Sequence, residues 1–330
     1  MIITKTPLRI SFAGGGTDLP SYYIKNHYGC VVSSTINKYL YVIVKKREKV
    51  FDESIRLNYS ETELVKNINQ IKNPIIKACL EYINIKEDLY ISTFSDLPSQ
   101  SGLGSSSSFC VGLLKALYAY KKVNISSKQL SQVASDIEIN HLNRPIGKQD
   151  HYAATYGGLN YFIFKKNKVS VNKIKISKKN LLKINNSLLL FWTGVTRSAT
   201  SILSDQEKNT NQNLILLKEI KEFSDNLYNY MTNDKFAIKT VGKLMNKNWK
   251  NKKKLSKKIS NELIEKIYTI AIKNGAYGGK LCGAGGGGFM FFLSPKKNHK
   301  KIEAKLSSIN VMKIEVALSS EGSKLYHLGN

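Results

Sequence analysis

Leu97-Pro98-Ser99-Gln100-Ser101-Gly102-Leu103-Gly104-Ser105-Ser106-Ser107-Ser108 runs straight into an apolar helical stretch, and it restricts this chain more than any other segment. Glycine lets a backbone approach a ligand closely and take positive φ. Amides at a helix start, with the helix dipole behind them, attract phosphate. Serine hydroxyls there can cap the helix or ligate magnesium beside a phosphate. A Ser-capped helix after a flexible loop is the plainer reading, and the loop alone leaves both open. The loop is no Walker P-loop, because G-x-x-x-x-G-K-[ST] does not occur. It is no dinucleotide fingerprint either: the third glycine and the ribose-binding acid are missing, and Gly14-Gly15-Gly16-Thr17-Asp18 fails the same pattern.

A second dense loop, Gly283-Ala284-Gly285-Gly286-Gly287-Gly288, leads into the apolar segment 289–293. So much glycine costs backbone entropy, and something has to require the freedom. A tight bend against another backbone would do so; a loop that closes over a ligand is the better reading. Two carboxylates stand between these loops. Glu138 sits among apolar neighbours on an expected helix, and Asp150 follows the loop 145–149. Such groups can serve as metal ligand and general base, although a helix Glu or loop Asp is ordinarily a surface group.

Composition narrows the class. Apolar residues make up 42% and charged residues 23% of 330, a globular balance that suits two domains. No apolar run approaches the roughly 18 residues of a membrane span, and the start reads as a strand rather than a secretory signal, so the expected location is the cytoplasm. Cys30, Cys79, Cys110 and Cys282 are scattered, and read as buried thiols rather than a zinc site or disulfide framework. The net charge of +27 rests almost wholly on lysine, with arginine only at 9, 47, 56, 144 and 197. Runs such as 250–258 read as solvated helix faces, not a nucleic-acid groove. The positive field would still gather anionic substrates.

Periodicity predicts strands at 2–12, 31–44, 89–94, 159–164, 188–192, after 288 and near 311–318. Helices are expected at 61–84, 105–120, 127–143, 200–231, 234–249, 259–274 and 297–308. The alternation means α+β or α/β in two units. A lysine-rich stretch without long apolar runs sets the junction near 175, giving domains 1–175 and 176–330.

These segments together resemble the GHMP kinases. The three family motifs match Thr6-Pro7-Leu8-Arg9 with 14–20, then 98–108, then Lys280-Leu281-Cys282-Gly283-Ala284-Gly285-Gly286-Gly287-Gly288-Phe289, in the right order over about residues 4–290. The resemblance implies an α+β fold of two domains, the first similar to ribosomal protein S5 domain 2 and binding ATP, the second ferredoxin-like. It implies ATP and Mg²⁺ as cofactors. The loop with Pro98, Ser101, Gly102, Leu103, Gly104, Ser105, Ser106 and Ser107 would wrap the ATP phosphates, and Ser106 and Glu138 would hold magnesium. Asp150 would take the proton from the attacking hydroxyl or orient it, with Arg9 beside it favouring the charged carboxylate. Gly285, Gly286 and Gly287 would shape the substrate side.

The triple-glycine form with Thr17-Asp18-Leu19-Pro20 looks like the branch acting on D-glycero-D-manno-heptose 7-phosphate at its anomeric hydroxyl, and also like some fucose kinases. Gly15, Gly16, Thr17 and Asp18 are then expected at the sugar, with Arg197 and Lys148 as ligands of its phosphate, a planar guanidinium fork suiting phosphate well. An Asx turn at Asp18 and a surface Arg197 are the plainer readings. The expected partners are ATP and a small sugar phosphate, with no nucleic acid and no membrane; a homodimer is left open. The rival readings are a kinase of an unphosphorylated hexose such as fucose, a basic nucleic-acid-binding protein, and a catalytically silent sensor, which intact Ser106, Glu138, Asp150 and Arg9 argue against.

Overall fold

Eighteen residues from Gly29 to Lys46, rich in β-branched and aromatic side chains, make one strand (β2) around which the first sheet is organised. The computed structural model describes residues 1–86, 88–233 and 235–328. β1 (Ile2–Ala13) precedes a short helix, α1 (Pro20–Tyr23), and after β2 come β3 (Ile55–Asn58), β4 (Thr62–Val65), α2 (Pro74–Ile83) and β5 (Leu89–Ser95). Three helices follow, α3 (Ser105–Tyr120), α4 (Ser127–Asp136) and α5 (Gln149–Tyr156), then the hairpin β6 (Leu159–Lys165) and β7 (Lys168–Lys173), and α6 (Lys178–Asn185). The rest of the chain is β8 (Leu188–Trp192), α7 (Thr200–Lys208), α8 (Leu214–Met231), α9 (Ile238–Lys254), α10 (Glu262–Lys273), β9 (Gly278–Leu281), β10 (Phe289–Leu293), α11 (His299–Ser307), β11 (Met312–Ile314) and β12 (Lys324–His327).

The first sheet runs β12-β1-β2-β5-β3-β4, and β6 with β7 pairs along the start of β2. All its pairs are antiparallel except β3 with β5, joined by the crossover through α2. The pairing of β1 with β2 is irregular between Pro7 and Arg9, where proline has no N–H to give. Bulges bend a strand and re-aim side chains, and Arg9 comes directly after this one. α3 lies on β1 and β2. Cys110, Val111, Leu113, Leu114 and Leu117 of this helix are buried, and each leucine there stabilises by roughly 1.5–3 kcal/mol.

The second sheet is antiparallel in the order β11-β8-β10-β9. Its central strand β10 is wholly buried, and α9 packs on β9 and β10. α8 lies against α9 on one side and β1 and β2 on the other, so the second half of the chain is packed onto the first sheet. The fold is α+β, as expected. The chain returns to where it began: β12 pairs with β1, Ile2 opposite His327, and Leu328 and Met1 exchange backbone hydrogen bonds of 2.9 and 3.0 Å.

Several expected helices are shorter or absent. Residues 61–84 are not one helix, because β4 occupies 62–65 and α2 starts only at Pro74. The pattern misleads there since the polar residue points in. The Glu63 carboxylate takes the Lys72 and Asn73 amides at 2.7 and 3.1 Å and the Tyr59 hydroxyl at 2.6 Å, while Leu64 faces solvent. The stretch 200–231 breaks into α7 and α8. The helix expected from 234 starts at Ile238, and Asp234 itself lies outside the described residues. α4 stops at Asp136, where Ser126 closes a capping box at its other end, and a π-helical turn covers Ile137–His141. The strands β3, β4, β9 and β12, of four residues each, carried too few residues for their periodicity to register, and β7 lay in a polar, lysine-rich stretch that hid it.

Candidate active site

The serine–glycine loop ends where expected, with Ser105 as the first residue of α3. Gly104 stands before it at φ +77°, in the left-handed region, and brings no side chain to the first amides. A β-carbon there would also stand 3.2 Å from Asp150 Oδ2, so glycine serves both the turn and the approach of the carboxylate. The first amides of a helix have no intrahelical partner, and Ser105, Ser106 and Ser107 line a cavity of about 770 Å³. None of the serines caps the helix: Ser106 Oγ donates to Glu138, and Ser108 Oγ donates to the Pro7 carbonyl at 2.9 Å. The second glycine loop lies directly behind the first. Phe289 N donates to the Ser101 carbonyl at 3.1 Å, and a β-carbon on Gly283 would stand 2.7 Å from Gly102 Cα. The close backbone approach, one of the two uses weighed for the second loop, is present, and Gly283, Ala284, Gly285 and Gly287 also line the cavity.

Arg9 holds Asp150 by both oxygens. Nε donates to Oδ1 at 2.7 Å and Nη2 to Oδ2 at 2.6 Å, while Nη1 donates to the Gly102 carbonyl at 2.6 Å. The planar fork fits a carboxylate in this two-point way and fixes its plane. The guanidinium thus ties the end of β1, the phosphate-type loop and the first turn of α5 into one unit. Asp150 keeps one side towards the cavity, with 21% of its side chain exposed.

Glu138 is wholly buried on the π-helical turn, a distortion that recurs at functional sites. Ser106 Oγ donates to its Oε1 at 2.6 Å, Arg144 Nη1 donates to the same oxygen at 2.6 Å, and His151 Nε2 lies 2.8 Å from Oε2. Burial alone would push this carboxyl up. The His151 hydrogen bond and charge, the Ser106 hydroxyl and Arg144 outweigh it and hold the group down to about 2. The site is therefore a committed anion with one oxygen and a neighbouring hydroxyl turned towards the cavity, faced by a guanidinium. Among the described residues no three His, Cys, Asp or Glu side chains gather into a metal cage. A carboxylate oxygen beside a hydroxyl is a partial donor set that suits an ion which keeps its waters and takes phosphate oxygens, as magnesium does.

Of the expected site residues, Arg9, Gly15, Gly16, Asp18, Gly102, Gly104, Ser105, Ser106, Ser107, Glu138, Asp150, Arg197, Gly285 and Gly287 line the one cavity. Asp18 is buried and accepts from the Gly16 amide at 2.9 Å; burial pushes its carboxyl up. Arg197 is exposed at the rim, next to Gly286. The others stand back. Pro98 is exposed, Ser101 and Leu103 are buried under the loop, and Thr17 donates to the Gly14 and Cys30 carbonyls at 2.8 and 2.9 Å. Lys148 sits before α5 with its ammonium 5.9 Å from the centre of the Tyr23 ring. Residues with no assigned role also reach the site: Arg144, His151, Gln149 and Lys252. His151 and Gln149 flank Asp150 in the chain, which was the available signal; Lys252 was hidden in a lysine run.

Residues 63–158 match the family model described as GHMP kinases N terminal domain, and residues 233–310 match GHMP kinases C terminal. The chain is 35% identical over 316 residues to the D-glycero-alpha-D-manno-heptose 7-phosphate kinase of Campylobacter jejuni, with 92% of each chain covered. It is 26% identical over 335 residues to a galactokinase of Pyrococcus furiosus, covering 91% of each. A solved D-glycero-D-manno-heptose 1-phosphate kinase from Bacteroides thetaiotaomicron superposes on the whole of both chains with a TM-score of 0.82 at 24% identity, a likeness of fold. Motifs, fold and relatives agree: the chain belongs to the GHMP kinases and is a phosphotransferase whose acceptor is an alcohol group.

Proposed function

We propose that the protein transfers the γ-phosphoryl group of ATP to the anomeric hydroxyl of D-glycero-D-manno-heptose 7-phosphate, giving the 1,7-bisphosphate for nucleotide-activated heptose synthesis. One observation carries this reading: the Arg9-held Asp150 carboxylate faces the same cavity as the open amides of α3, with Gly104 bringing the two within contact. Phosphoryl transfer asks mainly for charge neutralisation and in-line positioning, and this arrangement supplies both. The amides of Ser105–Ser107 receive the phosphates. Asp150 accepts or orients the acceptor hydroxyl's proton. Ser106 and Glu138 hold magnesium, which would neutralise charge on the nucleotide phosphates. The apolar end of the cavity, with Leu40, Pro74, Ile75 and Phe109, takes the base. Gly15, Gly16 and Asp18 bound the sugar side, and the domains divide near residue 175. Among the described residues no helix is long and apolar enough to cross a membrane, and the cytoplasm, where ATP is at hand, suits the reaction.

The heptose 7-phosphate rests on the similarity to the Campylobacter protein and on Arg197, an exposed residue that lines the cavity. A kinase of an unphosphorylated hexose such as fucose is the second reading, favoured by one observation: the Lys148 ammonium lies over Tyr23 rather than in the cavity. Turnover is measured by ADP release with ATP, magnesium and a panel of heptose 7-phosphate, heptose 1-phosphate, fucose, galactose and mannose. Turnover confined to heptose 7-phosphate, with KM raised at least about tenfold by Arg197→Ala, supports the proposal. Preference for a free hexose replaces it with the second reading.

A further inference from the structure

The lysine run 250–258 does not behave as one solvated face. Lys252 is buried within it, 6% exposed, and lines the main cavity. α9 is brought there by Asn248, one turn earlier, whose Oδ1 accepts from the Gly14 amide at 3.2 Å. The Lys252 ammonium donates to Gln206 Oε1 at 2.6 Å and has two further N–H groups. A β-carbon on Gly16 would stand 3.2 Å from it, so the ammonium lies directly under the first glycine loop. Burial holds Lys252 down to about 8, with the Asp18 carboxylate pulling the other way.

Across the same glycines stands Gln149, the residue before Asp150. Its side-chain nitrogen would stand 3.8 Å from a β-carbon on Gly15, while its Oε1 is buried and has no hydrogen-bond partner in the protein. Burying an unpaired amide oxygen costs about 1–3 kcal/mol, and such atoms mark places where a ligand or water completes the site. Gln149 and Lys252 line both the main cavity and a recess of only about 10 Å³ behind it. That recess has room for a single water, so a larger polar ligand reaches the two side chains from the main cavity, on the side where Asp150 is exposed.

We propose that Gln149 and Lys252 are a specificity pair for the acceptor. Gln149 Oε1 accepts a hydrogen bond from the hydroxyl one carbon away from the phosphorylated one, and the Lys252 ammonium donates to that same oxygen. An acceptor alcohol with a vicinal hydroxyl satisfies both groups; an acceptor lacking it leaves the Gln149 oxygen unpaired and the Lys252 ammonium with its Gln206 contact but without the substrate's. This deepens the reading of the protein as a sugar kinase and rests on it. Gln149, Lys252 and Asp150 line the same cavity, which lets one acceptor address all three.

The test is a cycle between protein and substrate. Steady-state kcat/KM is measured for the acceptor and for its analogue deoxygenated next to the reacting hydroxyl, in the wild type, Gln149→Met and Lys252→Met, alongside KM for ATP. In the wild type the deoxy analogue is expected to lose between about fivefold and a hundredfold, the loss of one buried hydrogen-bond set. In each variant that penalty shrinks to under about threefold, KM for the acceptor rises, and KM for ATP stays within about twofold. Should Lys252→Met not fold, Lys252→Arg, which keeps the charge and moves the N–H groups, has to show the same shrinkage. A deoxy penalty that is absent in the wild type, or that persists in full in the variants, overturns the pair. So do acceptor and ATP KM values that rise together, the pattern expected if the two side chains only hold a buried water and the fold. If the wild type prefers a different sugar, the substrate named above is wrong, and the same cycle on that sugar decides the pair separately; if it takes no polyhydroxylated acceptor, both fall.

Discussion

Arg9–Asp150 and Arg144–Glu138 are two arginine–carboxylate pairs in one cleft, each closed at 2.6 Å, and they are built in opposite senses. In the first the cation is the buried partner, 4% exposed, and the carboxylate reaches the cavity. In the second the carboxylate is fully buried and the arginine is the outer partner, 29% exposed. Asp150 is gripped from behind at both oxygens, which leaves it a working side. Glu138 is fixed by His151 within the fold, while the Ser106 hydroxyl and the Arg144 guanidinium in front of it both reach solvent. The same two residue types thus make an outward-facing carboxylate in one place and an enclosed one in the other, and the difference lies in which partner the fold buries.

The largest expected effect falls on the first pair. Asp150→Asn should lower kcat by about 10²–10⁴, as loss of a positioned proton acceptor does, and a variant retaining more than about a tenth of wild-type kcat would remove the reactive role from Asp150. Glu138→Gln should lower stability as well as weaken magnesium binding. It leaves His151 and Arg144 without their anion, and denaturant titration should show a loss of about 3 kcal/mol, the scale for breaking a buried pair. If Glu138→Gln proved no less stable than wild type, the contrast between the two pairs would collapse.

A pH titration of unfolding sharpens the same point. The folded-state pKa of Glu138 lies at about 2, below its ordinary 4.5. Its contribution is therefore fully present above pH 4.5 and is lost as pH falls from there towards 2, at no more than about 1.4 kcal/mol per pH unit. Urea midpoints at stepped pH should show this slope in the wild type and not in Glu138→Gln. The smallest effect belongs to Arg144→Met. Its partly exposed side chain should change stability by less than about 1 kcal/mol, while KM for MgATP shifts by only a fewfold, about threefold at most; a stability loss equal to that of Glu138→Gln would show that the outer arginine holds the cluster together.

What could be read from the chain in advance was whatever local backbone chemistry imposes. Gly102, Gly104 and the serines announce a helix start open to anions because few other residues tolerate that turn, and α3 begins and ends where its apolar spacing says. Arg9 stands in the first motif, and Glu138 and Asp150 were singled out as spaced carboxylates whose roles came from the resemblance to the family. Arg144 and His151 were not, because their roles come from meeting Glu138 across separate elements, and Lys252 meets Gln206 from 46 residues away. A lysine run looks the same in sequence whether one member is buried or none. Glu63 illustrates the opposite error: a carboxylate turned inward to backbone amides reverses the polarity on which strand and helix periodicity depend.

The pairing of β12 with β1 has a consequence for synthesis. Residues 2–5, on the strand that carries Arg9, gain their partner on one edge only once residues 324–327 have been made. The first sheet therefore lacks its outermost strand until then, and that stretch of β1 stays an unpaired edge in the nascent chain, the feature most prone to wrong partners. A chain cut short before residue 324 would hold every residue that lines the cavity and still lack the strand that covers the edge of β1.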